Sequence, residues 1–250
     1  MSYEHDQFTA HGLTVKIMSD DDPMNPRDWD NAGVMVCWHN RYDLGDKHNH
    51  ADPDALFADL FTDAAESMTD EAIRAIAIEA IRADYGRDDY ADYYRYWRDN
   101  GGDKRDMLQD YISDALNNGV KLSIIDALES AGYVILPLYL YDHSGISMSV
   151  GAFSCPWDSG QVGYIYLTPQ TIADEWQGDR DKAERYLRGE VETYDQYLTG
   201  DVYGFIIEDD EGDTLESCWG FYGEDDCKAE AIAMAEHCAQ SVGLQHGAGI

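Results

Sequence analysis

The hydrophobic and polar positions of this chain change period along its length. Leu13, Val15 and Ile17 alternate with polar neighbours and predict a strand over Gly12 to Met18. Ser19 to Asn31 carries two prolines and three consecutive aspartates and reads as a loop. Gly33 to His39 is a second strand candidate, paired with the first. Asp52 as cap and Pro53 in the first turn open a helix near Asp54 to Ala65. Thr69 opens another, whose apolar face is Ile73, Ile76, Ala77, Ala80 and Ile81. Tyr85 to Trp97 continues in helical pattern and is rich in tyrosine. After Gly101-Gly102, Met107, Leu108, Tyr111, Ile112, Ala115 and Leu116 mark an amphipathic helix. A short helix near Ser123 to Ser130 stops at Gly132.

From residue 133 the period shortens. Tyr133 to Tyr141, Ile146 to Phe153 and Val162 to Leu167 read as strands. Pro169 opens helical pattern that runs to about Leu198, with breaks expected near Gly178 and Gly189. Tyr203 to Ile207 and Thr214 to Phe221 form a hairpin around Asp209-Asp210-Glu211-Gly212. A last helix over Asp225 to Ser241 buries Cys227, Ala231, Met234 and Cys238 on one stripe. The expected class is α+β. A small N-terminal β element and a helical section occupy 1–132, and an antiparallel sheet with packed helices occupies 133–250, as separate or continuous domains.

Composition narrows the function. The 250 residues are 44% hydrophobic, enough for a sizeable core. No run approaches the length of a membrane span, and Met1 to Asp6 lack the basic start and apolar run of a signal peptide. The expected location is the cytoplasm of the host cell. Five cysteines at wide spacings, with no C-x-x-C, read as free thiols. Fifty acids against 17 bases give a net charge of −33. That charge disfavours direct binding to the like-charged backbone of nucleic acid. Residues 169–250 hold 20 acids and 5 bases, and between Gly189 and Cys227 there are 13 acids and no Lys or Arg.

That base-free stretch supplies the candidate partner-binding residues: Glu190, Glu192, Asp195, Asp201, Glu208, Asp209, Asp210, Glu211, Asp213, Glu224, Asp225 and Asp226. They are expected to gather on one face together with Asp174 and Glu175. Crowded like charges cost stability through self-repulsion, so a protein that keeps them uses the field or lives in high salt. Standard catalytic signatures are missing, and no cofactor is expected. Two clusters offer catalytic alternatives. In the first, Cys155 is a nucleophile, His143 its base and Asp158 an orienting carboxylate, although turn chemistry accounts for the same residues. In the second, His39, His48 and His50 stand among Cys37, Asp43, Asp46 and Asp52 in a pattern that matches no strict metal template. Tyr85, Tyr90, Tyr93, Tyr94, Tyr96 and Trp97, interleaved with aspartates, suit a protein contact better than stacked bases, and half-buried core positions account for them equally well.

Several strings carry a resemblance. They are Asn25-Pro26-Arg27-Asp28-Trp29-Asp30-Asn31, Cys37-Trp38-His39, Leu44-Gly45-Asp46, His143-Ser144-Gly145-Ile146 and the stretch Cys155 to Gly163. Leu198-Thr199-Gly200-Asp201-Val202-Tyr203-Gly204-Phe205 and Glu216-Ser217-Cys218-Trp219-Gly220-Phe221-Tyr222-Gly223 belong with them. Together they resemble an uncharacterised family of acidic proteins of phages and other mobile elements. The resemblance implies a genetic context in which acidic proteins block host restriction or CRISPR enzymes, and it brings no catalytic assignment. The leading expectation is an acidic inhibitor or DNA mimic that binds a basic nucleic-acid-handling host protein, as a monomer or an oligomer. Thirty-three charges match roughly 56 Å of duplex at one charge per ~1.7 Å. The alternatives are an enzyme at one of the two clusters and a halophile protein whose acidity serves solvation.

Overall fold

The fold is taken from a computed structural model, in which residues 3–85, 95, 99 and 102–247 are described. In chain order the elements are β1 (Glu4–Ala10), β2 (Leu13–Ser19), β3 (Val34–Cys37), α1 (Pro53–Ala65), α2 (Asp70–Tyr85), α3 (Lys104–Asn117) and α4 (Ile124–Ser130). There follow β4 (Val134–Asp142), β5 (Ile146–Ser149), β6 (Ser159–Leu167), α5 (Pro169–Trp176), α6 (Arg180–Thr199), β7 (Val202–Glu208), β8 (Thr214–Tyr222) and α7 (Glu224–Gly247). The protein is α+β, with two antiparallel four-stranded sheets ordered β1-β2-β7-β8 and β3-β6-β4-β5. Among the described residues no helix is long and apolar enough to cross a membrane.

Two compact units are each assembled from separated stretches of chain, so the change of period at residue 133 does not mark their boundary. The first comprises residues 1–31, 139–161 and 188–250; the second comprises 32–138 and 162–187. In the first unit, β2 lies between β1 and β7, with Val15 opposite both Phe8 and Ile207. The N-terminal hairpin therefore completes the C-terminal one. The expected pairing of the first two predicted strands does not form, because β3 pairs with β6, Val36 opposite Tyr164. β1 was not anticipated: its acids mask a weak alternation ending in Phe8 and Ala10.

The alternating Leu13, Val15 and Ile17 bury one face of β2 against Phe205 and Ile207 of β7 and the small residues Cys227, Ala231 and Ala235 of α7. Each fully buried Val, Ile or Phe contributes about 1.5–3 kcal/mol. Small residues at spacings of four let the helix approach the sheet closely. On the opposite face of the sheet, Gly204 faces Trp219. A Cβ at Gly204 would stand 2.4 Å from the indole, so the glycine is what lets the ring lie flat across β7.

In the second unit, the Asp52 carboxylate accepts from the Ala55 amide at 2.9 Å and caps α1, with Pro53 in the first turn. Leu56, Phe57, Leu60 and Phe61 pack with Met107, Leu108, Ile112 and Leu116 of α3 and Leu128 of α4. The Arg105 guanidinium donates to the carbonyls of Ala65 and Met68, which satisfies acceptors at the end of α1. The break at Gly178 is present between α5 and α6, whereas α6 runs through Gly189 without interruption.

Candidate functional site

The acids of the first unit dominate its chemistry. It holds 24 Asp and Glu against Lys16, Arg27, Arg188 and Lys228, a net of −20; the second unit holds 26 acids and 13 bases, a net of −13. Three of those four bases are spent inside the unit. Lys16 Nζ meets Glu208 at 2.8 Å, and Arg27 Nη1 meets Glu190 at 2.8 Å. Lys228 Nζ bridges Asp6 at 2.7 Å and Glu224 at 2.6 Å, and His5 Nε2 lies 3.4 Å from Glu224. The Lys228 hydrogen bond holds the Asp6 and Glu224 carboxyls below their ordinary range, and those two carboxylates raise the ammonium in turn. Neutralisation by these three bases is thus local and structural.

The twelve carboxylates expected to bind a partner do not form one patch. Glu190 is corrected outright: its side chain is 6% exposed and is held by the equally buried Arg27. Leu187, Val191 and Tyr194 bury the same stripe of α6, three or four residues or one residue away. Asp195 Oδ1 accepts from the Met148 amide at 2.7 Å and ties α6 to β5. Asp209 Oδ1 accepts from the amides of Glu211 and Asp213 and shapes the hairpin turn. Asp201 is half-buried, and its hydrogen bond to Tyr203, after burial itself, helps push that phenol up to about 12. Glu192, Asp210, Glu211, Asp213, Asp225 and Asp226 are exposed.

These exposed acids lie in separate places. Asp210, Glu211 and Asp213 stand at the β7–β8 turn, whereas Asp225 and Asp226 open α7 beyond the other end of β8. Seven strand residues separate those ends, about 20 Å. Asp174 and Glu175 lie on α5, which belongs to the second unit.

The structure brings His143, Cys155 and Asp158 together, in an order that does not build a relay. Asp158 Oδ2 lies 3.4 Å from His143 Nδ1 and accepts from the Cys155 thiol at 3.5 Å. A nucleophilic pair needs the imidazole between thiol and carboxylate. Here the carboxylate is central. The same residues shape turns: the His143 amide donates to the Gly145 carbonyl at 3.0 Å, and the Ser159 hydroxyl donates to the Cys155 carbonyl at 2.6 Å.

The histidine segment is likewise bound into its own loop. His39 Nδ1 accepts from the amides of Arg41 and Tyr42, and His48 Nε2 donates to the Cys37 carbonyl at 2.9 Å. His50 Nδ1 lies 3.2 Å from Asp59. Asp46 accepts from the Met35 amide at 2.8 Å. Among the described residues no three His, Cys, Asp or Glu side chains are placed to hold a metal ion. The tyrosine cluster from Tyr90 to Trp97 lies outside the described residues.

The cysteines separate by environment. Burial pushes the Cys227 thiol up to about 12, while Cys218 is exposed on β8. Iodoacetamide applied to the native protein near pH 8 is expected to modify Cys218 and to leave Cys227 unmodified until unfolding. Cys155 is expected to label no faster than Cys218. Peptide mass spectrometry reads all three, and preferential labelling of Cys155 would restore the nucleophile reading.

Sequence reasoning points to Tyr222 beside the acidic hairpin as aromatic contact area, but it does not single out the exposed tryptophans. Trp29 and Trp219 are each 42% exposed and Trp157 is 92% exposed, and all three lie on the first unit. A tryptophan between Asp28 and Asp30, within a polar loop, was the available signal. No family model, no curated protein and no solved structure matches this chain.

Proposed function

We propose that this protein is an acidic inhibitor that occupies the nucleic-acid-binding surface of a basic protein such as a restriction or CRISPR nuclease. One observation carries the reading: the first unit holds 24 acids against four bases, and three of those bases are consumed in internal ion pairs. Its net of −20 equals the charge on about 34 Å of duplex, roughly one helical turn. Such a field repels nucleic acid, attracts a surface built for phosphate and speeds the encounter between them. The acids at the two ends of the β7–β8 hairpin are about 20 Å apart, close to half a helical turn of a duplex. Acidity that serves solvation alone does not require this partition between units.

The reading predicts a kinetic signature. Charge reversal at Asp210, Glu211 and Asp213 together slows association with a basic nuclease by about tenfold and changes dissociation little, because rim charges act on encounter. Asp209 is spared, since its carboxylate supports the turn. Surface plasmon resonance separates the two rates. Unchanged association in a folded triple variant would remove the hairpin tip from the binding surface.

A further inference from the structure

Trp29 and Tyr222 form an aromatic pair on the first unit, and Trp219 stands three residues before Tyr222 on β8, 42% exposed. The loop that carries Trp29 is fixed along its length. The Asp20 amide donates to the Val202 carbonyl at 2.9 Å, and the Asn25 side chain accepts from the Arg27 amide at 2.9 Å. The Asn31 amide group donates to the carbonyls of Pro26 at 2.8 Å and Trp29 at 3.2 Å. Arg27 is anchored on the buried Glu190. This frame holds the Trp29 ring edge-on to Tyr222, with centroids 5.1 Å apart and planes at 89°. The Tyr222 hydroxyl donates to the Met24 carbonyl. Tyr222 pairs with Val202 and Trp219 with Gly204, so both rings emerge on the face of the sheet opposite α7.

Rigid, half-open aromatic rings provide contact area at low entropic cost, and tryptophan, tyrosine and arginine dominate interface energetics. Asp28 and Asp30, on either side of Trp29 in the chain, are exposed carboxylates. A planar guanidinium stacks on an aromatic face and pairs with a carboxylate through the same group, whereas an ammonium is a compact and strongly hydrated point charge. We propose that Trp29, Tyr222 and Trp219 are the anchor for arginine side chains that line the nucleic-acid channel of the basic partner. This rests on the inhibitor reading for the identity of the partner; the preference for arginine is a property of the surface itself.

The test titrates the intact protein with homopolymeric arginine and lysine peptides of equal length, near physiological ionic strength. The arginine peptide is expected to bind about tenfold tighter. That preference is expected to fall within about twofold in the Trp29→Ala/Trp219→Ala variant, its fold checked by circular dichroism. Oxidative footprinting of the wild-type protein gives a readout that does not depend on the variant. The arginine peptide should protect Trp29 and Trp219 while Trp157 continues to oxidise. Equal or absent binding of the two peptides, an undiminished preference in the folded variant, or protection confined to Trp157 overturns the anchor. An arginine preference that depends on both indoles, in a protein that fails to displace DNA from a basic nuclease, defeats the inhibitor reading and leaves the anchor standing. Displacement that survives loss of both indoles defeats the anchor alone.

Discussion

Glu190→Ala is expected to lower the unfolding midpoint by about 10 °C. The Arg27 and Glu190 side chains are 3% and 6% exposed, with nitrogen and oxygen 2.8 Å apart. Removing the Glu190 carboxylate takes a counter-charge from a guanidinium held out of water, and breaking a buried pair in this way typically costs about 3–5 kcal/mol. For a chain of this size each kcal/mol moves the midpoint by about 2–4 °C. The pair itself is worth much less than its breakage costs. Arg27→Met combined with Glu190→Leu should therefore recover most of the loss, because apolar side chains of similar volume often replace a buried pair at little cost. Thermal unfolding followed by circular dichroism checks both variants. A shift of only a degree or two for Glu190→Ala would mean that water reaches the pair. Arg27 also fixes the turn that carries Trp29, so the single variant should loosen the aromatic surface along with the core.

How far the sequence reveals the fold depends on the range of the interactions involved. α1 and α3 were legible because a cap, a proline and an apolar face are all local: Asp52, Pro53 and Leu56 lie within five residues. The β7–β8 hairpin was legible for the same reason. Pairing of β2 with β7 was not, because Val15 and Ile207 meet only after most of the chain has been placed between them. Gly189 illustrates a propensity overruled by packing. A mid-helix glycine costs about 1 kcal/mol relative to alanine, and the burial of Leu187, Val191 and Tyr194 at helical spacing outweighs it.

The candidate site divides in the same way. Charge density is additive along the chain, so the excess of acid was visible in composition alone. Which carboxylates remain available was not. Glu190 meets a base 163 positions away, and Lys16 reaches Glu208 across the paired strands β2 and β7. One signal did exist for Glu190: it follows Leu187 by three residues and precedes Tyr194 by four, which places it on the apolar stripe of α6. The cluster at Asp158 was anticipated as a set of residues. The order in which the three side chains meet depends on turn geometry that periodicity does not encode.

On the proposed inhibitor reading, salt is expected to have the largest functional effect. Attraction between this surface and a basic groove is screened within about 8–10 Å at physiological ionic strength. Binding to a basic nuclease is expected to weaken at least tenfold between roughly 50 and 200 mM salt, in the manner of the phosphate contacts it replaces. The most direct test of the account is a competition titration. A labelled duplex is bound to a restriction or CRISPR nuclease, and the protein is added at several salt concentrations while duplex release and cleavage are followed. The account predicts that the duplex is released and cleavage stops, that the midpoint rises with salt, and that charge reversal at Asp210, Glu211 and Asp213 shifts it upward at every salt concentration. A duplex that stays bound and is cut at saturating protein, or a midpoint indifferent to salt, would contradict it.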